Sequence, residues 1–573
     1  MGPPGGDRDR SSFGLRWVPG DLDLDDWGEL EPLFDHLEKS ASTKDLPAWI
    51  RDWSELECVF NEESSRRYVA MTCDTGDREK ARRYLHFETE IVPRAKPRWQ
   101  RLKKLYLDHP RRRRLPPRVY GMMDRFLQNE FELYRDENVP LEARDTELRQ
   151  KYQTIAGAMT VVVDGREQTL PQASRILEEA DRGRREEVWR LIAERRLRDR
   201  AALEDLFDEM VRVRTRIARN AGFRDYRDYA FRARGRFDYT PGDCRAFHEA
   251  VAEIVVPALR ARHERRRRLL GVAPLRPWDL AADPEGRPPL RPFFKVADLV
   301  EGCRRIFRRI HPVFERMFVG IRDRGYLDLE SRRGKAPGGY QTVFEVERMP
   351  FIFANAAGLH RDVETLLHEG GHAFHSLLCR HLEPRFNRDY PPEFAEVASM
   401  GMELLAQPFL EEFYRGPDAD RARSGHLEDV LALYPWVASV DAFQHWIYTH
   451  PDHSRRDRRA AWRRLRARFG GAEDWRGLGE ALEYGWHRQP HLFTSPFYYI
   501  EYGIAQTGAL QLWRRARRDR TGAVAAYRRA AALGASRPLP GLFAAAGLRF
   551  DFGPRMLALL LGEIRERLED PHG

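Results

Sequence analysis

The stretch ETLLHEGGHAFHSLL, Glu364 to Leu378, decides how this chain is read. It places His368 and His372 four residues apart, with Glu369 directly after the first. On a helix, such residues project from one face a single turn apart. Two imidazoles in that arrangement can reach one ion at about 2.0–2.1 Å. Glu369, rotated about 100° from His368, can face the ion's open side without ligating it and take a proton from a bound water. The spacing therefore predicts two metal ligands and a general base on one helical turn. Asp362 is the expected N-cap of a helix starting at Val363. His375 shares the face but lies about 10 Å along the axis from His368, so one ion cannot use all three histidines. The glycine and third histidine of the longer metzincin motif are missing.

A third ligand must come from another segment. The stretch YPPEFAEVASMGMELLAQPFL, residues 390–410, reads as a second helix on which Glu396 and Glu403 share a face. Glu396 is the preferred ligand, with Glu393 a rival three residues earlier. Glu403, two turns on, suits a role orienting a ligand imidazole. Gly370 and Gly371 each cost a helix up to about 1 kcal/mol against alanine. Their missing side chains would let the backbone of a glutamate-bearing helix come close. Three protein ligands leave one position of a zinc ion open, which is the catalytic rather than the structural pattern. One Zn²⁺ per chain is the expected cofactor.

The rest of the chain is consistent with an enzyme of this kind. Its 573 residues exceed the needs of one small core, and 42% are apolar, so a sizeable interior can be buried. No apolar run approaches the roughly 18–20 residues of a membrane helix. The first residues, MGPPGGDRDRSSFGLRW, lack an apolar signal core, and Pro3 argues against myristoylation. A cytoplasmic protein with no membrane partner is expected. Five scattered cysteines without a CxxC pair fit reduced thiols. The net charge of +9 raises nucleic acid as a partner, but only nine of the 98 basic residues are lysines. The two RRRR runs, Arg111–Arg114 and Arg265–Arg268, carry no interleaved aromatics for base stacking, so no nucleic-acid role is expected.

Apolar residues at three- and four-residue spacing recur along the chain, as in RDRAALEDLFDEMVRVRTRIARNAGF and the terminal PRMLALLLGEIRERLED. The fold class is mainly α. Strand signals are confined to a hairpin in MTVVVDGREQTL, turned at Asp164-Gly165, and to GGYQTVFEVERMPFIFANAAG, residues 338–358, which leads into the histidine helix. A division near residue 200 gives an N-terminal helical lobe, 1–200, and a catalytic part, 201–573.

The developing negative charge of a hydrolytic intermediate needs a donor besides the metal. HLFTSPFYYIEYGIAQTGALQLW, residues 491–513, offers His491, Tyr498, Tyr499 and Tyr502. Tyr502 is the expected oxyanion donor; His491 and Tyr499 are expected to bind the peptide or the intermediate, and Tyr498 to contact substrate. With HEGGHAFH, FAEVASMGMELL, YVAMTCDTGD and the MTVVVDG hairpin, these segments make the chain resemble the oligoendopeptidase F branch of the thimet oligopeptidase-like zinc metallopeptidases. The resemblance spans nearly the whole chain and is sharpest in its catalytic half. It implies a two-lobed helical body with a deep central channel, a small sheet beside the HExxH helix, and cleavage of short unstructured peptides. By position it makes His368, His372 and Glu396 ligands and Glu369 the base. The strand with Gly338, Gly339 and Tyr340 becomes an edge that pairs with the substrate backbone.

The expected function is that of a zinc metalloendopeptidase acting on oligopeptides, as a monomer or homo-oligomer. A metallocarboxypeptidase is the nearest alternative. An aminopeptidase is disfavoured because AGAMTVV, residues 156–162, lacks the Glu-Asn of an N-terminus-binding motif. A non-catalytic peptide-binding scaffold is disfavoured by the intact base and ligand set.

Overall fold

The computed structural model describes residues 15–569, and helices dominate them. The helix Arg200–Asn220 shows why: Leu203, Phe207, Met210 and Ile217 fall on one face and are buried, while most of the intervening charged residues face outward; Glu204 and Arg214 are the buried, ion-paired exceptions. None of the described helices is long and apolar enough to cross a membrane.

The buried residues form two hydrophobic cores. The smaller is built from Val18 to Leu127 with Val346, and is rich in aromatics such as Trp49, Trp53 and Phe34. The larger takes in Leu148, Tyr152, Val161, Val188 and Ile192, and continues to Ile564. The segment 139–200, assigned on sequence to the N-terminal lobe, thus packs with the core that also holds the histidine helix. Nothing local in the sequence of these helices says which core buries them.

Two small sheets are present among the described residues. Strands β1 (Thr160–Val163) and β2 (Arg166–Thr169) form the expected antiparallel hairpin. Asp164 and Gly165 both have positive φ, 53° and 72°, as a two-residue type I′ turn requires. The second sheet has the order β3-β5-β4. Strand β4 (Tyr340–Phe344) runs antiparallel to β5 (Met349–Ala356) and lies at an edge, as expected. Strand β3 (Leu327–Glu330) pairs parallel with β5 on the other side. Its four residues, LDLE, are too short to register as a strand in the sequence.

Strand β5 feeds through a short turn into helix α1 (His360–Cys379), which carries the histidine motif. The helix begins three residues before the expected start. Asp362 is not the N-cap; it sits inside the first turn, and its Oδ2 accepts from the backbone N–H groups of Leu359 and Ala357 at 2.8 and 2.7 Å. The carboxylate still satisfies orphan donors at the helix start, but it reaches backwards to do so.

Helix α2 (Pro392–Ala406) crosses α1, α3 (Pro417–Thr449) lies beyond it, and α4 (Ile500–Arg518) makes the most extensive packing with α2. The two mid-helix glycines serve different neighbours. A Cβ on Gly371 would lie 2.5 Å from the Cα of Ser399 and 2.7 Å from the carbonyl oxygen of Ala398, so here the backbone of α2 does approach α1. Gly370 instead faces the ring of Phe307, at 2.7 Å.

This contact makes a prediction. Gly371→Ala should destabilise the protein by about 1–3 kcal/mol, because its obstacles are backbone atoms that cannot rotate away. Gly370→Ala meets only a ring edge and should cost less. Denaturant unfolding of both variants checks this; a Gly371→Ala protein as stable as the parent would contradict the packing described.

Candidate active site

The crossing of α1 and α2 brings three side chains to a point. The Nε2 atoms of His368 and His372 lie 3.2 and 3.4 Å from Glu396 Oε2. One nitrogen from each histidine and one carboxylate oxygen all fall within 4.8 Å of one another. Ligands bonded to a tetrahedral zinc at about 2.0–2.1 Å lie roughly 3.3 Å apart. The spacing and the N,N,O donor set fit a zinc-type cation.

The electrostatics fit as well. Burial works against a charged His368, yet hydrogen bonds to Glu396 and Glu403 outweigh it and raise its pKa well above the ordinary value. Burial also opposes the charge on Glu396, but His372 and His368 overcome it and hold that carboxyl well below its usual range. The carboxylates thus create a strong preference for positive charge where the two Nε2 atoms converge.

Behind His368, His372 and Glu396 lies a supporting layer. His368 Nδ1 is 2.6 Å from Glu403 Oε1, two turns beyond Glu396 on the same face of α2. Glu403 Oε2 lies 3.0 Å from Nε2 of His426 on α3. Ser399 Oγ donates to Glu396 Oε2 at 3.1 Å, and the Tyr498 phenol donates to Glu396 Oε1. The rival Glu393 is engaged elsewhere: its Oε1 accepts from Tyr239 at 2.6 Å and lies 3.9 Å from Arg236. His375 is fully buried and stacks on Tyr390 at 3.6 Å between centroids. Burial pushes its pKa down to about 3, keeping it neutral.

Glu369 projects away from this layer, as its place on the helix predicts. It is buried, and its Oε2 has no hydrogen-bond partner among the described residues. Burial raises its pKa; His368 and His372 oppose the rise, and Glu396 and Glu403 add to it. Buried polar oxygens are rarely left unpaired, so this one invites a water or a ligand. Gly339 lines the same spot: a Cβ there would come within 3.3 Å of Glu369 Oε1. Gly338 adopts φ 93°, a conformation natural to glycine, and its carbonyl accepts from Asn355 Nδ2 at 2.8 Å. Tyr340 turns its side chain inward, stacking on Phe353 at 4.7 Å.

The 491–502 segment gathers as a cluster. The ring of Tyr502 lies 5.1–5.5 Å from those of His491, Tyr498 and Tyr499. Tyr498 and Tyr499 precede α4 rather than forming part of it, yet their rings still reach Tyr502. Tyr502 is raised well above its ordinary pKa, first by burial and then by Glu396, Tyr499 and Glu369. Its phenol therefore keeps its proton.

One chain of hydrogen bonds was not legible in the sequence. Trp436 Nε1, which can only donate, donates to Gln489 Oε1 at 3.0 Å. This turns the amide of Gln489 toward His491 Nδ1, at 2.7 Å, so that Nδ1 accepts. Burial holds the His491 pKa down to about 4, so the ring is neutral and its proton sits on Nε2. His491 Nε2 then donates to the Tyr502 oxygen at 3.1 Å. The consequence is directional: the Tyr502 hydroxyl hydrogen is free to point at a third partner. Gln489 lies two residues before His491, but Trp436 is more than fifty residues away, and no local motif links them.

With this geometry described, comparison with known proteins is informative. The sequence profile of peptidase family M3 matches residues 175–558, more than half of the chain. Two Lactococcus lactis proteins align over shorter stretches. A chromosomal oligoendopeptidase F is 35% identical over 91 residues, and an oligoendopeptidase F homolog is 27% identical over 158. These stretches cover 16% and 27% of this chain, and 15% and 26% of those relatives' own length. Structural likeness is more extensive. The fold matches that of PZ peptidase A in complex with an inhibitor at a TM-score of 0.92 and 26% identity, over 96% of this chain and 98% of that one. A Bacillus anthracis str. Ames protein assigned as an oligoendopeptidase F matches at a TM-score of 0.88 and 25% identity, over 96% and 97%. The chain belongs to peptidase family M3, in its oligoendopeptidase F branch.

Proposed function

We propose that the protein is a zinc-dependent endopeptidase that hydrolyses internal bonds of short, unstructured oligopeptides. The observation that carries this reading is the convergence of His368, His372 and Glu396 beside the unpartnered carboxylate oxygen of Glu369. The named oligoendopeptidases among its relatives support the substrate class. His368, His372 and Glu396 would hold the zinc, and Glu403 would fix the His368 ring through Nδ1. The bound metal supplies Lewis acidity and makes water a better acid and nucleophile at neutral pH.

The protein's own groups do the rest. Glu369, acidified less than a solvated glutamate, takes a proton from the attacking water and returns it to the leaving amine. Tyr502 aims its free hydroxyl hydrogen at the oxygen on which charge develops, with His491 donating from behind to stabilise the phenol in that orientation. Tyr498 steadies Glu396. Gly338 and Gly339, at the start of the β4 edge, leave room beside Glu369 for an extended peptide backbone to pair with the strand.

Two predictions follow from these roles. Glu369→Gln keeps the size of the side chain but removes the base. It should retain metal and peptide affinity while losing at least ~10² in kcat on end-blocked, internally quenched peptides. Near-normal turnover would reject the mechanism, and cleavage only of peptides with free ends would point to an exopeptidase. The second concerns the donor chain. Tyr502→Phe should cost roughly 10²–10³ in kcat with zinc retained. Gln489→Leu should lower kcat in the same direction by a smaller factor, since it frees His491 to take the other tautomer. If Tyr502→Phe turns over like the parent, the oxyanion is held by another group.

A further inference from the structure

A cavity of about 180 Å³, walled by Trp189, Trp436 and Trp475, carries Arg196, Arg466 and Arg488. These residues come from the helix Arg182–Arg198, from α3, from the helix Arg455–Phe469 and from the loops around residues 475 and 488. Its volume suits part of a peptide and not a whole ligand. Its charges are unbalanced. The lining has a single carboxylate, Glu473, which already faces His263 Nδ1 at 3.2 Å and Arg466 at 3.4 Å. Arg196 and Arg488 have no hydrogen bond or ion pair to a carboxylate among the described residues. Arg361, near the start of α1, adds repulsion: it and Arg196 both disfavour the charge on Arg488 after burial. Uncompensated guanidiniums around a partly enclosed space are costly unless an anion joins them.

The arginines are also held ready. The Arg488 guanidinium packs against the Trp436 ring at 4.8 Å, and that of Arg466 against the same ring at 5.3 Å. Stacking on an aromatic plane orients the guanidinium and leaves its donors free for a planar, two-oxygen acceptor. The Arg488 side chain still reaches solvent although the cavity walls crowd its guanidinium, and Arg196 is half-buried, so both are reachable. Trp436, one wall of the cavity, is also the indole that starts the hydrogen-bond chain to Gln489, His491 and Tyr502. Arg488 itself is only three residues from His491.

We propose that this cavity is a subsite for a carboxylate of the bound peptide, gripped by Arg196 and Arg488 a short stretch of chain from the bond that is cut. The carboxylate is the C-terminus or an Asp or Glu side chain; the chemistry is the same for both. The proposal rests on the peptidase reading above, but it concerns binding and can be tested without turnover. It assigns Arg196 and Arg488 a role in choosing and positioning substrate and no part in the chemical step.

The test uses full-length Glu369→Gln protein and a mixed-sequence oligopeptide pool prepared once as free C-terminal acids and once as amides. Peptides retained by the protein are identified by mass spectrometry, and affinities of retained peptides are measured by calorimetry. Preference for the acid pool identifies the C-terminus; equal retention of both pools, enriched in Asp and Glu, identifies a side chain. Either preference should amount to about tenfold or more in Kd, as for a charge-assisted pair. It should vanish in Arg196→Gln/Arg488→Gln and be weakened without being abolished in Arg488→Lys, which keeps the charge and loses the planar fork. Retention indifferent to both kinds of carboxylate, no retention of either pool, or a preference that survives the double substitution overturns the proposal. Arginine-dependent retention by a protein whose parent cleaves no peptide would instead uphold the subsite and refute the peptidase reading.

Discussion

The contact between Gly371 and the backbone at Ala398 and Ser399 is the constraint on which the site depends. Glu396 lies two residues before Ala398, and its carboxylate can meet the two imidazoles only if α2 crosses α1 at nearly backbone distance. A side chain at 371 would push the helices apart along the line that brings Glu396 Oε2 within 3.2 and 3.4 Å of the histidines. Helix α4 repeats the device on the other face of α2: a Cβ on Gly508 would meet Val397 at 2.8 Å, and one on Gly401 would meet Leu512 at 2.9 Å. Small residues on three helices thus draw His368, His372, Glu396, Glu369 and the tyrosine cluster into one volume. The helix-propensity cost of these glycines is offset by the packing they permit.

That volume contains a concentration of buried charge that would be unfavourable in isolation. The acids and histidines answer one another in layers. Glu396 faces the imidazoles of His368 and His372, Glu403 bridges His368 and His426, and Tyr239 with Arg236 surrounds Glu393. Glu369, next to His368, keeps an oxygen unpaired among the described residues. The unpaired carboxylate oxygen of Glu369 and the free hydroxyl hydrogen of Tyr502 are the two groups beside the His368, His372 and Glu396 cluster left open to a further partner.

The legible part of the site was the part written within single helices. His368, Glu369 and His372 share one turn, and the 28-residue step to Glu396 falls on a second helix whose face is readable from periodicity. Glu393 and Glu396 could not be separated that way, because residues three apart share a face. Only the third dimension shows Tyr239 and Arg236 engaging Glu393. Asp362 carried a correct signal, a carboxylate at a helix start, but side-chain oxygens serve donors from more than one position, and the start was misplaced by three residues. Strand β3 was missed because four residues paired parallel to a distant strand leave no local pattern. The relay from Trp436 through Gln489, the support of His426, and the packing of residues 139–200 with the larger core all depend on contacts remote in sequence.

On the function proposed above, one zinc ion held by His368, His372 and Glu396 is required for peptide hydrolysis. Titration of metal-stripped protein with zinc tests it most directly, with cleavage of an end-blocked peptide and bound metal measured at each addition. The account predicts that activity rises from near zero in proportion to bound zinc and levels off at about one ion per chain, and that a Glu396→Ala protein neither takes up this ion at the same concentrations nor recovers activity. Full activity in the stripped protein, or a Glu396→Ala protein that binds zinc as the parent does while Glu393→Ala does not, would contradict it.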